Sequence, residues 1–141
     1  MANSDLDELL NALFSLAKHL LKKRHQFSPF GASMNERGEI AIAGSMPANL
    51  TPSPDDIIAP ILRGFHEDVS NNTLRAVGIC MDVRVIPPGE SKKVDAICAQ
   101  LEHQTGEAVN VFLPYRKKLF GSIEYGEVFG SPGERRIFST Q

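Results

Sequence analysis

Between Asp95 and Leu113 two apolar alternations meet across Gln104-Thr105-Gly106, and this junction limits the fold more than any other stretch. A three-residue loop with glycine last provides the left-handed backbone position that a hairpin of this length needs. It sets Leu101 opposite Val109, Ala99 opposite Val111 and Ile97 opposite Leu113, apolar against apolar, with His103 opposite Glu107. A two-residue Thr105-Gly106 loop would set Leu101 against Asn110, and would either bury the amide or expose the leucine. Side chains alternate faces along a strand, so a slip of one residue inverts the whole surface. The three-residue register is therefore predicted, and with it an antiparallel sheet.

The flanking segments have their own periods. Ser4 with Asp7 three residues on is a helix-start signal, and Asp5 and Glu8 add anions to the first turn. Leu6, Leu9, Leu10, Leu13, Leu16, Ala17, Leu20 and Leu21 then recur at steps of three and four, the stripe of a helix of about five turns. Lys22, Lys23 and Arg24 close it, so the spacing predicts a helix over 4–24. Phe30, Ala32 and Met34 alternate with Gly31 and Ser33 as on a strand, and Asn35-Glu36-Arg37-Gly38 turns the chain into a partner strand over 39–43. A proline-bearing loop over 44–54 leads to a second helix. Ser53 is its N-cap, Pro54 its first position, Asp56 the return half of a capping box, and Ile57, Ile58, Ile61, Leu62, Phe65 and Val69 its stripe. Pro60 predicts a bend or a late start there. A long strand over 74–86 ends at Pro87-Pro88-Gly89-Glu90. Residues 119–129 fit either a short helical turn or a strand around Ile123 and Tyr125, and 130–141 reads as a loosely held tail ending in apolar Ile137-Phe138.

The predicted fold is α+β, one domain over 1–141, with a single antiparallel sheet of about five strands and helices packed on it. Its element order is α-β-β-α-β-β-β. That order resembles profilin-like and longin-like domains, whose single antiparallel sheet is flanked by helices. The stretches FSPFGA, DVRVIPPGESKKVDAI and LEHQTGEAVNVFLPYRK are similar to an uncharacterised family of small bacterial proteins. That resemblance implies a bacterial, cytoplasmic origin and no particular activity.

With 15 basic and 17 acidic residues the net charge is −2, without the basic excess of a nucleic-acid binder. No run approaches the ~18 apolar residues of a membrane span, so neither nucleic acid nor membrane is an expected partner. The two cysteines, Cys80 and Cys98, make neither a disulfide framework nor a zinc ribbon, and a reducing compartment is the simplest reading. His19, His25, His66 and His103 have no metal-ligand spacing. Phosphate-binding glycine loops and a GxSxG elbow are also missing from the sequence, so no metal, cofactor or catalytic residue is expected.

Three groups remain as candidates. Gly31, Ser33, Ala41, Ala43, Gly78, Cys80, Ala96 and Cys98 are placed on one small-residue face, open either to a closely packed helix or to a ligand. Asp82 and Arg84, with Gln100, Glu102 and Asn110, form a candidate polar patch at one end of the sheet. Tyr115, Arg116, Lys117 and Lys118 are a candidate contact surface, or else the solvated end of a strand whose Tyr115 falls in step with the core. The leading expectation is a non-enzymatic interaction or immunity-type module that contacts another protein or a second copy of itself. The alternative is a small-molecule sensor or enzyme built on the small-residue face near Asp82, Arg84 and Glu102. A helix lying over that face would remove the alternative's support.

Overall fold

The computed structural model describes residues 3–45 and 50–138; the middle of the 44–54 loop and the last residues of the tail lie outside them. Helix α1 spans Ser4–Arg24, strands β1 and β2 Phe30–Asn35 and Ile40–Ala43, and helix α2 Pro54–Ser70. Strands β3 (Leu74–Val85), β4 (Val94–His103) and β5 (Ala108–Lys117) follow, then β6 (Ile123–Tyr125) and β7 (Phe129–Pro132). Every pairing is antiparallel, in one seven-stranded sheet ordered β2-β1-β3-β4-β5-β6, with β7 also on β5. The class is thus α+β with a single antiparallel sheet, larger by two strands than the expected order. Residues 119–129 contain both forms that their sequence allows, a single 3₁₀ turn at Leu119–Gly121 and then β6.

Local signals place the ends of both helices. Asn3, one residue earlier than the Ser4 signal suggests, caps α1 by accepting from the amides of Asp5 and Leu6 at 3.0 and 3.3 Å. Ser53 and Asp56 form the reciprocal capping box of α2, and the helix starts at Pro54 and runs on through Pro60. No late start occurs. The proline's missing N–H falls within a helix whose Ile57, Ile58, Ile61 and Phe65 are all buried against the sheet, so packing outweighs the lost bond.

The hairpin from β4 to β5 has the predicted register. Leu101 pairs with Val109, Ala99 with Val111 and Ile97 with Leu113. The His103 amide donates to the Glu107 carbonyl at 2.9 Å, and Gly106 takes a φ of +106°.

The helices lie on opposite faces. Leu9, Leu13, Ala17 and Leu21 of α1 pack on Ala32, Met34, Ala76, Cys80, Ile97, Ala99, Leu101, Leu113 and Tyr115. On the other face α2 packs on Val77 and Ile79, joined by Ile137 and Phe138 of the C-terminal segment. The tail is therefore not loose as far as residue 138. Its Phe129–Pro132 stretch pairs with β5, and the two apolar residues that follow are core.

Candidate functional site

The small residues do not share one face. In the β3–β4 pairing Gly78 stands beside Leu101 and Cys80 beside Ala99, under α1. Ala96 pairs with Val83 and Cys98 with Met81, on the face of α2. Large residues of one strand thus stand beside small or polar ones of the next, on both faces. Two of the small residues, one on each face, admit helices. A Cβ on Gly78 would meet Leu13 Cδ1 at 2.7 Å, and one on Gly31 would meet Ile61 Cγ2 at 3.0 Å and Phe65 Cζ at 3.1 Å.

The five-residue polar patch is divided by the same register. Asp82 and Arg84 point to the α1 side, while Gln100, Glu102 and Asn110 point to the α2 side. Arg84 does not pair with Asp82. Its guanidinium reaches Asp95 at 3.6 Å across the β3–β4 pair, exposed to water. Asp82 instead accepts from the Tyr115 hydroxyl at 2.7 Å. Loss of hydration pushes the Asp82 carboxyl above its usual range, against the hydrogen bond from Tyr115. Burial, then the Asp82 carboxylate, push the Tyr115 phenol up as well.

Gln100, Glu102 and Asn110 have a common task that no local pattern announces. The buried Glu102 carboxylate accepts from three consecutive backbone amides, Arg136 at 2.9 Å, Ile137 at 3.0 Å and Phe138 at 2.7 Å. Gln100 accepts from the Arg136 guanidinium at 2.6 Å, and Asn110 donates to the Pro132 carbonyl at 3.4 Å. They form a clasp for the C-terminal segment. A cavity of about 30 Å³ between this clasp and α2 has room for one water.

A second constellation missed by sequence joins Asp5, His103 and Thr105. His103 Nε2 lies 2.8 Å from Asp5 Oδ2, and its Nδ1 lies 2.8 Å from Thr105 Oγ1. The order hydroxyl, imidazole, carboxylate is that of a nucleophilic triad. Here the Thr105 amide also donates to Nδ1, at 3.2 Å, and none of the cavities described is lined by Thr105. The trio therefore ties the start of α1 to the β4–β5 turn. Hydrogen bonding to His103 in particular holds the Asp5 carboxyl below its usual range, with Arg75 at 3.4 Å adding to it.

Tyr115, Arg116, Lys117 and Lys118 separate by alternation. Tyr115 is only 5% exposed, its ring in the α1 core, so it belongs to the fold. Arg116 is exposed and donates to Glu124 at 2.7 Å, and Lys118 stands 3.4 Å from the same carboxylate. Lys117 is exposed at the end of β5. Beside them lies an open groove of about 530 Å³, walled by Pro87, Pro88, Val94, Pro114, Val128 and Phe129 and edged by Glu90, Glu127 and the Arg116–Glu124 pair. The ring of Phe129 stacks on Phe112 at 5.0 Å in its wall. The groove exists because α2 packs over the β1 side of its face, whereas Val83, Val85, Val94, Phe112 and Pro114 at the far end are only half-buried.

Cys80 and Cys98 are both free and buried, on opposite faces of adjacent strands. Burial pushes both thiols up, Cys98 to about 11, so neither is a ready thiolate at neutral pH. Among the described residues no group of three or more His, Cys, Asp or Glu side chains is placed to hold a metal ion. Nor is any described helix long and apolar enough to cross a membrane.

Fold and site together define an α+β chain with a single antiparallel sheet and a half-open, largely apolar groove at one end of it. Comparison with protein-family models, with curated proteins and with solved structures finds no match.

Proposed function

We propose that the chain is a non-enzymatic contact module of the cytoplasm, and that its groove receives a segment of another protein. The observation that supports this most is the 530 Å³ groove at the helix-free end of the sheet. Its walls are mainly proline, valine and aromatic side chains, and its unpaired edge charges, Glu90 and Glu127, are acidic. An apolar recess with an acidic edge suits a partner segment that carries an apolar side chain next to a lysine or arginine. Arg116, already held by Glu124, keeps the edge in shape and adds little pull of its own. The features that would favour a sensor or enzyme are engaged elsewhere: helix side chains fill the space at Gly31 and Gly78, Asp82 is held by Tyr115 and Arg84 by Asp95.

The test uses capture from native extract with three forms of the full chain. Glu127 and Val128 are exposed, so a Glu127→Lys plus Val128→Asp form keeps its melting temperature. Arg63→Glu, on the outer side of α2, is the control. Proteins held by the native and control forms and released by the groove form support the reading. An identical set on all three forms rules the groove out as the contact.

A further inference from the structure

We propose that the tip of the β5–β6 hairpin docks on an anionic phospholipid surface. Leu119 is 82% exposed and Phe120 103%, adjacent to one another and outside every cluster of the core. Single exposed apolar residues are ordinary, but a leucine and a phenylalanine side by side on a projecting turn are not. The turn is built to hold them outward. The Lys118 amide donates to the Ser122 carbonyl at 2.8 Å and closes the hairpin. Phe120 takes a φ of +64°, a left-handed conformation that costs an aromatic residue more than it would a glycine.

Cations surround this tip. Lys117 and Lys118 end the strand that leads into it, and Lys22, Lys23 and Arg24 end α1. The two ends meet, because a Cβ on Gly121 would lie 3.8 Å from His25 Cε1. They are also held in place: Lys18 of α1 sits over the Tyr125 ring of β6, 4.9 Å from its centroid. The nearby carboxylate, Glu124, is engaged by Arg116 and Lys118. The carboxylates of α1, Asp5, Asp7 and Glu8, lie at its opposite end, so the element carries its charges at two poles.

Shape and charge together select the occupant. A two-residue projection is far below the ~800 Å² per partner of an ordinary protein interface. It does match a bilayer, in which apolar side chains sink about 5–10 Å to the headgroup and acyl boundary while lysines stay at the level of the phosphates. The expectation of no membrane partner rested on the lack of a spanning segment, which has no bearing on a contact of this kind. The inference is independent of the groove.

The experiment is co-sedimentation of the full chain with vesicles of phosphatidylcholine alone and of phosphatidylcholine mixed equally with phosphatidylglycerol. Binding to the mixed vesicles and not to the neutral ones is expected. Leu119→Ser with Phe120→Ser should weaken it by at least about tenfold, since both side chains lose their burial in lipid. Lys117→Gln with Lys118→Gln should weaken it by roughly tenfold at low salt and much less at about 0.5 M. The chain has 0 tryptophans, so Phe120→Trp supplies a single reporter whose emission should shift to the blue on mixed vesicles. All these positions are exposed, and unchanged melting temperatures show that the fold is intact. The groove form, Glu127→Lys with Val128→Asp, should still bind vesicles, which keeps the two readings separable. No binding to mixed vesicles, or binding indifferent to the serine pair, overturns the proposal. So does a reporter that shifts with an acidic polypeptide but not with lipid, which would assign the tip to a protein instead.

Discussion

At the residue scale, two aspartates respond to acid in opposite directions. Asp5 is held below its ordinary value of 3.8, mainly by His103. Its contribution to stability is complete above that value and is lost as pH falls below it. Asp82 is raised above the same value by lost hydration, so its ionised form costs the folded state at neutral pH. That cost disappears as pH falls through the raised value toward 3.8. Thermal melts between pH 3 and pH 8 separate the two. Asp82→Asn keeps an acceptor for Tyr115 and should match or exceed the native midpoint at pH 7, an advantage that shrinks in acid. Asp5→Asn should lose on the order of 1 kcal/mol at pH 7, as for one partly exposed charged hydrogen bond, and should approach the native form below pH 4. An Asp82→Asn form that melts well below the native one at pH 7 would mean that the charge itself is needed.

At the element scale, the β4–β5 hairpin and the C-terminal clasp rest on different forces. Leu101 is buried between Gly78, Leu13 and Val109, and its truncation to alanine should cost about 2–5 kcal/mol on denaturant melting. A loss under about half a kcal/mol would contradict the packing against Gly78. Glu102 acts through polar satisfaction. Glu102→Ala strands the amides of Arg136, Ile137 and Phe138, and should cost about 2–4 kcal/mol. Hydrogen exchange should speed up first at those three amides and in β7, while β3 and β4 stay protected. The hairpin was legible in the sequence because its loop, glycine and facing residues are all local. The clasp was not, because its partners lie 34 to 36 residues downstream and backbone amides leave no mark on composition.

At the scale of the whole molecule, two apolar cores share one sheet. Cys80 reports on the α1 core and Cys98 on the opposite face, and both are buried, with burial pushing their thiols up. Because β3 and β4 carry both faces, the cores should melt together, and urea should release both thiols to a labelling reagent at one midpoint. Labelling of Cys98 at clearly lower urea would show that the α2 side opens alone. The groove and the hairpin tip also exist only at this scale. One is the part of the sheet that α2 does not reach, the other the place where the end of α1 meets the β5–β6 turn.

The amino-acid sequence by itself determined both helices, strands β1 to β5, the capping box of α2 and the register of the β4–β5 pair. Helical and strand periods, a capping box and a three-residue loop all act within a few residues. Only the tertiary structure decided which residues share a face. The β3–β4 register sets Val85 opposite Val94 across an intervening turn whose length no periodicity specifies. A shift of one residue there would have put Gly78, Cys80, Ala96 and Cys98 on one face, and Asp82 with Glu102. The actual register sends them to opposite sides, turning an apparent ligand floor into two helix seats and an apparent polar patch into an isolated Asp82–Tyr115 pair and a clasp for the chain's end.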